Sequence, residues 1–478
     1  LFFEEGDMTV LTMKFGGTSV GSPAAIQQAA GIVLEETRRW DHVAVVVSAM
    51  SGVTDALTRG ALTAAAGDDQ TYRSLVTELR ARHYGAVDGL LDPNGERARL
   101  LATVDEYLDE FAAFCRSVHV LGEVTLRAMD TITSLGERIS ARILAAVLRQ
   151  EGGVPSEAVD ATELIVTDDS FQGAVPLMDA TQARVTARLG PLLDRGVVPV
   201  VTGFMSATED GITTTLGRGG SDFSAAILGV CLDSDEVWTW TDVNGVMSAD
   251  PRLVPDARVI PTLSYAEVGE LAYFGAKVLH PRTIRPVVER GIPLWVKNTF
   301  NPTYPGTRIV AEPESTPGTV KAITAIQGLS MITVEGRGMM GVPGIAARTF
   351  AAVASQGASV LMISQASSEQ SISFIIPTSA ATPVMGAIEA EMAMELARRD
   401  VDRVWSLDEV VIVTAVGAGM RGTPGVAHRV FGALAGKEIN VIAVAQGSSE
   451  CSISLVVAAA DAGDAVQQIH QEVINHVV

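Results

Sequence analysis

Cysteine is scarce in this sequence, and where it stands says more than how often. Cys115, Cys231 and Cys451 lie far apart with no CxxC spacing. That pattern excludes a disulfide frame and a thiolate zinc site, and it reads as three buried thiols in a reducing compartment. Histidine is equally thin: the seven residues are scattered, with no metal-ligand pair among them. Positive charge is in deficit, with 35 lysines and arginines against 56 aspartates and glutamates and a net charge of −21. Such a balance argues against nucleic acid or an anionic membrane as partner, and it requires any anionic ligand to be held by local cations and amides. Apolar runs are too short to span a bilayer, and the acidic opening Leu1-Phe2-Phe3-Glu4-Glu5 lacks the basic-then-apolar order of a secretory signal. A cytoplasmic location is the expectation.

The richest stretch is Met13-Lys14-Phe15-Gly16-Gly17-Thr18-Ser19-Val20. An apolar run over residues 10–13 leads into it, two adjacent glycines turn the chain, and Ser22-Pro23 then opens an Ala-rich helix. Strand, glycine turn and helix start make an arrangement that can hold a phosphate. Amides at a helix N-terminus carry partial positive charge, and glycines let the ligand approach them. Lys14 precedes the turn by two residues and can bring its ammonium to the same phosphates. Val43-Ala44-Val45-Val46-Val47 reads as a buried strand of a parallel sheet, and the small-residue loop 48–54 follows at the end where ligands of open α/β sheets sit. Residues 55–148 read as helical, broken by a turn at Asp92-Pro93-Asn94-Gly95 and containing Ser134-Leu135-Gly136-Glu137. Strand signals return at 197–204 and 236–240. Between them Leu216-Gly217-Arg218-Gly219-Gly220-Ser221-Asp222 leads into a helix over 223–230, which Ser221 or Asp222 can cap. Strands alternating with helices predict a three-layer α/β fold with a predominantly parallel sheet.

Glu312-Pro313-Glu314-Ser315-Thr316-Pro317-Gly318 cannot continue a strand or a helix and reads as a linker. Beyond it the chain repeats itself: aligned without a gap, residues 338–376 and 419–457 share 18 of 39 positions. Each copy reads as a ferredoxin-like βαββαβ unit. Both copies also contain GxGxxG, at Gly336-Arg337-Gly338-Met339-Met340-Gly341 and Gly417-Ala418-Gly419-Met420-Arg421-Gly422. A dinucleotide site needs an acidic residue at the end of the next strand to hold the ribose. The corresponding strands end instead in Gln365 and Gln446, so these glycines are expected to shape turns facing a small ligand or a partner subunit.

Five motifs, Lys14-Phe15-Gly16-Gly17-Thr18-Ser19, Ser134-Leu135-Gly136-Glu137, Leu216 to Asp222, Thr241-Asp242-Val243-Asn244-Gly245 and Phe274-Gly275-Ala276-Lys277-Val278-Leu279-His280-Pro281, follow one another in an order and spacing that resembles aspartate kinase. The duplicated tail resembles the paired ACT domains of that family, so the likeness covers nearly the whole chain. It implies the amino acid kinase fold over 8–311, with a helical insert at about 55–148, a linker at 312–320 and ACT domains at 321–400 and 401–478. It further implies phosphorylation of the β-carboxylate of L-aspartate by ATP with Mg2+, the metal having no dedicated protein ligands. Lys14, Asp222 and Lys277 are the implied catalytic residues. The aspartate contacts are Arg218 for the α-carboxylate, Glu137 for the α-ammonium, and Ser48, Thr54 and Ser221 as hydroxyl partners. A plainer reading makes Glu137 a surface ion pair with Arg138 or Arg142. The nucleotide side comprises Lys14, Phe15, Gly16, Gly17, Thr241, Asp242, Met247, Arg252, Lys277 and Val278, and Met247 departs from the tyrosine usual near the adenine. A carboxylate with a pKa of about 4 is already ionised at neutral pH, so the chemistry asks for charge neutralisation and positioning, with no general base. Neither the Walker loop nor the protein-kinase HRD and DFG set occurs in the chain.

Two alternatives stand beside this reading: another kinase of the same fold, acting on acetylglutamate, glutamate or UMP, and a non-catalytic amino-acid sensor. The helical insert and paired tail disfavour the first; intact Lys14, Arg218, Asp222 and Lys277 disfavour the second. The Gln-x-Ser-Ser-Glu-x-Ser-Ile-Ser segments resemble the threonine-responsive type of tail. They imply an effector, threonine and/or lysine, at Gln365 and Gln446, and a homodimer or higher homo-oligomer through the ACT domains.

Overall fold

The computed structural model describes residues 8–475 except 276–278, 280, 313–317, 366–369 and 448. Lys277, Val278 and most of the expected linker therefore lie outside the described residues. The chain divides into two compact units.

The first unit comprises Leu1–Val246, Pro261–Tyr265 and Leu279–Pro313. Its strands are β1 (Val10–Phe15), β2 (His42–Val47), β3 (Ser156–Val159), β4 (Val198–Thr202), β5 (Met205–Ala207), β6 (Thr213–Thr215), β7 (Glu236–Thr241), β8 (Thr262–Ser264), β9 (Leu294–Asn298) and β10 (Thr307–Val310). Eight of them form one sheet in the order β3-β4-β2-β1-β7-β9-β10-β8, while β5 and β6 make a separate hairpin. Every pairing in the large sheet is parallel except β9 with β10. All six residues of β1 are buried, as are the five of β2 after His42, as expected of central strands covered on both faces. Because β1, β2, β4 and β7 are parallel, the loops after Phe15, Val47, Thr202 and Thr241 emerge along one edge of the sheet, and that edge carries the site.

The helical region expected at 55–148 is present as helices Val53–Ala65, Asp69–Leu90, Gly95–Leu121, Leu126–Thr133 and Leu135–Gly152. The turn at 92–95 works through Asn94, whose side chain accepts from the amides of Glu96 and Arg97 at 2.9 and 3.0 Å and so starts the third of these helices. One boundary differs from expectation. The helix expected at 223–230 runs over Gly220–Cys231, with Gly219 as its cap in the left-handed region at φ 73°. The glycine turn starts the helix early, so Ser221 and Asp222 sit inside its first turn instead of capping it.

The second unit comprises Met247–Ile260, Ala266–Val278 and Glu314–Val478. Two segments from within the 8–311 stretch thus pack with the tail. Its strands, β11 (Ala322–Glu335), β12 (Met362–Gln365), β13 (Ser371–Pro377), β14 (Arg403–Val416), β15 (Ala443–Gln446) and β16 (Ser452–Ala458), form one antiparallel sheet in the order β12-β13-β11-β14-β16-β15. Strands β11 and β14 are long and cross both copies of the repeat. The end of β11, Leu329 to Glu335, pairs with β13 of the first copy, whereas its beginning, Ala322 to Ile326, pairs with the part of β14 that belongs to the second. Register shifts break the β11–β14 pairing between these halves, where Gly328 and Glu409 adopt positive φ. Residues 322–326 thus belong structurally to the second copy and 403–407 to the first, so the expected division at 400/401 does not follow the hydrogen bonding.

The GxGxxG segments also find a structural explanation. A Cβ on Gly336 would lie 2.3 Å from the carbonyl oxygen of Asp400, and one on Gly417 would lie 2.5 Å from that of Thr319. Close backbone approach, not a pyrophosphate, requires these glycines. Within this unit the helix Tyr265–Tyr273 is fixed by two glutamates. Glu267 is fully buried, pairs with Lys321 at 2.9 Å and accepts from the amide of Ala418 at 2.7 Å; Glu270 accepts from Ser452 Oγ at 2.8 Å.

Candidate active site

A cleft of about 570 Å³ opens in the first unit among the loops after β1, β2 and β6 and the start of the helix Gly220–Cys231. Lys14, Gly17, Ser48, Thr54, Glu137, Arg218, Ser221 and Asp222 all line it. These residues come from four separate stretches of sequence, and the motifs or the family resemblance mark each of them.

Lys14 is the penultimate residue of β1 and is only 8 % exposed, so its ammonium cannot be left to water. It meets Asp222 Oδ1 at 2.7 Å. Asp222 stands in the first turn of the helix Gly220–Cys231, where the helix dipole favours a negative charge. The amides of Gly220 and Phe223 are taken by the carbonyls of Gly217 and Gly219, while no described group accepts from those of Ser221 and Asp222. The cleft therefore has a cation, a carboxylate and helix N-terminal donors along one wall.

Glu137 lies opposite in kind: a carboxylate inside the protein without a cation. Gly136 makes its position possible, because a Cβ there would fall 2.7 Å from Ala49 Cβ and push the helix Leu135–Gly152 off the loop after β2. With the helix seated, Glu137 Oε1 accepts from the amide of Ala49 at 3.1 Å. Its Oε2 is buried with no hydrogen-bond partner. Burial pushes the carboxyl up to about 8, against the opposing pull of the Ala49 amide and of Glu137's own. The surface ion pair considered for Glu137 does not form, since Arg138 and Arg142 both turn to Asp160, at 3.6 and 2.9 Å.

Arg218 is exposed at the cleft and has no described side-chain partner. Its neighbours Gly217 and Gly219 both have positive φ, 76° and 73°, which only glycine adopts readily.

On the nucleotide side the correspondence is partial. The amide of Gly16 donates to the carbonyl of Trp240 on the adjacent strand β7 at 3.1 Å, so the expectation that it faces a phosphate is corrected; Gly17 lines the cleft. Phe15 is buried and stacks on Trp240 with ring centroids 6.0 Å apart, which makes it core. Thr241 ends β7, and its hydroxyl donates to exposed Asp242 at 3.2 Å. Met247 and Arg252 belong to the second unit, where Met247 bridges to Val259 and the exposed Arg252 pairs with Asp250 at 2.6 Å. Gln365, at the end of β12, lines a 320 Å³ pocket with the turn from Gly341 to Gly344; Gln446 ends β15 and is exposed.

Sequence reasoning missed Asp130, which also lines the cleft. It is 1 % exposed and accepts from the amides of Gln172 and Thr215, each at 3.0 Å, and from Thr215 Oγ1 at 2.8 Å. Burial raises its carboxyl above the usual range, and these three donors pull it back. The available signal was an acid on the otherwise apolar face of the helix Leu126–Thr133. Among the described residues no three His, Cys, Asp or Glu side chains gather as metal ligands would.

Comparison with known proteins agrees with this geometry. Residues 9–298 match the model of the amino acid kinase family, and residues 332–392 and 413–473 each match that of an ACT domain. The chain is 38 % identical over 475 residues to bifunctional aspartokinase/homoserine dehydrogenase 2, chloroplastic, of Zea mays, covering 98 % of this chain and 51 % of that one. It thus spans about half the length of the bifunctional relatives it matches. Aspartokinase 1, chloroplastic, of Arabidopsis thaliana is 33 % identical over 477 residues, covering 96 % of this chain and 79 % of that one. Among solved structures, E. coli aspartokinase III with aspartate and ADP (R-state) superposes with a TM-score of 0.77 at 29 % identity, covering 97 % of this chain and 99 % of that one. The same protein with lysine and aspartate (T-state) gives 0.78 at 28 % identity, with the same coverage. The chain belongs to the amino acid kinase family, within its aspartokinase branch.

Proposed function

We propose that this chain transfers the γ-phosphoryl group of ATP to the β-carboxylate of L-aspartate, giving 4-phospho-L-aspartate and ADP, the first step towards lysine, threonine and methionine. The observation that carries the reading is Glu137 Oε2, a buried carboxylate oxygen with no partner, in the same cleft as Lys14, Asp222 and Arg218. An unpaired buried acid is costly unless a ligand completes it, and an α-ammonium supplies both charge and donors. Arg218 then takes the α-carboxylate through its planar fork, and Ser48, Thr54 and Ser221 offer hydroxyls to the rest of the amino acid.

With both ends of aspartate fixed, its β-carboxylate attacks as the anion it already is. A β-carboxylate oxygen forms the new bond to phosphorus as the bond to the ADP oxygen breaks, and no proton moves. Lys14 and the first-turn amides at Ser221 and Asp222 neutralise charge spreading over the transferring group, a contribution typically worth about 3–4 kcal/mol per donor. Lys277 joins them by its place in the motif, and Gly17, Thr241, Asp242, Met247, Arg252 and Val278 complete the nucleotide side. Mg2+ supplies further neutralisation when bound and arrives held mainly by the phosphates, with Asp222 as the carboxylate available to it. The expected domains, 8–311, 321–400 and 401–478, divide catalysis from regulation. Threonine, alone or with lysine, acts at Gln365 and Gln446 in a homodimer or larger assembly.

The test is ADP release with MgATP and one acceptor at a time. Dependence on aspartate supports the proposal; dependence on glutamate, acetylglutamate or UMP selects another kinase of the fold, and no turnover with any acceptor selects a sensor.

A further inference from the structure

Arg218 is exposed and has no described side-chain partner, so its direction into the cleft depends on the backbone that carries it. Asp130 is one of the points that hold that backbone. Asp130 Oδ2 accepts from the amides of Thr215 and Gln172, and its Oδ1 accepts from Thr215 Oγ1. Thr215 lies three residues before Arg218, and its carbonyl takes the amide of Ala174 at 3.0 Å, which ties it to the same loop a second time. Gln172 is itself in the left-handed region at φ 65°, and its carbonyl presses against Gly217, where a Cβ would fall 2.8 Å away. Two routes therefore run from Asp130 to Arg218, one along the chain from Thr215 and one through Gln172 onto Gly217.

We infer that Asp130 is a positioning residue for amino-acid recognition: it fixes the 215–219 turn so that the Arg218 guanidinium meets the α-carboxylate. Both its oxygens are already engaged by these three donors, so it acts through Arg218 and not on the substrate. The inference rests on the function proposed above.

Steady-state kinetics of Asp130→Asn and Thr215→Val test it, because the first places an NH2 against a donor and the second removes only the hydroxyl. The expected result for Asp130→Asn is a Michaelis constant for aspartate raised about tenfold or more, with that for MgATP and kcat changed less than about threefold. Thr215→Val moves the same constant in the same direction by less. In the double variant with Arg218→Lys the two effects are not additive, since both remove one interaction. Equal effects on both substrates, no effect in either folded variant, or full additivity would overturn the assignment and make Asp130 part of the general framework. Hydrogen exchange of the whole protein gives a readout independent of turnover. The Thr215–Gly219 amides exchange faster in Asp130→Asn if the inference holds and at the wild-type rate if it fails. Absence of aspartate turnover in the wild type would instead count against the proposed function, and the exchange result would still decide the role of Asp130.

Discussion

Two buried glutamates, one in each unit, differ in whether both carboxylate oxygens are paired. Glu267 is fully buried, and both its oxygens are used, one by Lys321 and the other by the amide of Ala418. Glu137 is 3 % exposed, has one oxygen on the amide of Ala49 and has nothing on the other. Burial alone does not distinguish a structural acid from a working one; completeness of pairing does. The contrast extends to the surroundings. The duplicated sheet pairs its repeated hydroxyls with each other, Thr333 with Ser373 and Thr414 with Ser454, both at 2.9 Å. The cleft leaves Arg218 and the amides of Ser221 and Asp222 without described partners.

The largest effect expected from this contrast is on catalysis. Lys14→Ala removes the cation at the phosphoryl position and should lower kcat by about 10²–10³ or more, with the circular dichroism of the folded protein retained. A folded variant with near wild-type turnover would take Lys14 out of the mechanism.

Stability should respond to the other glutamate. Glu267→Gln removes the buried carboxylate that pairs with Lys321 and should cost about 3–5 kcal/mol, read as an earlier unfolding transition in denaturant. Glu137→Gln breaks no ion pair and should not destabilise the protein. If the two substitutions cost the same, pairing is not what separates these residues.

The third effect is on pH. In the ligand-free protein Glu137 titrates at about 8, against an ordinary value of 4.5. Between those values the folded chain holds a proton that the unfolded chain has lost, so this group's contribution to stability falls as pH rises through the interval and is constant outside it. Binding an ammonium requires the carboxylate, so aspartate affinity should rise with pH by at most about tenfold per unit until pH ~8, with a proton released on binding. Glu137→Gln should weaken aspartate binding and flatten both profiles. Michaelis constants for aspartate and unfolding midpoints across this range measure them, and a wild-type profile as flat as the variant's would show that Glu137 does not meet the ammonium.

The smallest effect separates the two copies of the repeat. Gln365 and Gln446 are both exposed at their strand ends, but Gln365 lines a pocket with the turn from Gly341 to Gly344. Gln365→Ala should therefore raise the threonine concentration for half-inhibition by about tenfold, and Gln446→Ala by less than about threefold. Equal shifts would restore equivalence of the copies, and no inhibition of the wild type by threonine would remove that effector.

Much of the architecture was legible because it rests on local pattern. Valine runs mark β2 and β4, the helical period marks residues 55–148, and the repeat marks the duplicated modules. Lys14, Glu137, Arg218 and Asp222 were legible because each sits in a short motif whose glycines and charges have local reasons. What stayed hidden depends on contacts distant in sequence. Asp130 finds its donors 42 and 85 residues away, and Glu267 finds its partners 54 and 151 residues away, with no motif around either. The Gly16 amide looked free because its acceptor lies on β7, which becomes the neighbour of β1 only through the sheet order. The exchange of β11 between copies likewise depends on a register shift that periodicity does not encode.

The central claim is that the unpaired oxygen of Glu137 reads the ammonium of an amino acid whose β-carboxylate is phosphorylated. Trapping the acyl phosphate as a hydroxamate, with MgATP and either L-aspartate or succinate, tests this directly, because succinate keeps both carboxylates and lacks the ammonium. The account predicts hydroxamate from L-aspartate and none above background from succinate. No product from L-aspartate, or equal product from both acids, would contradict it.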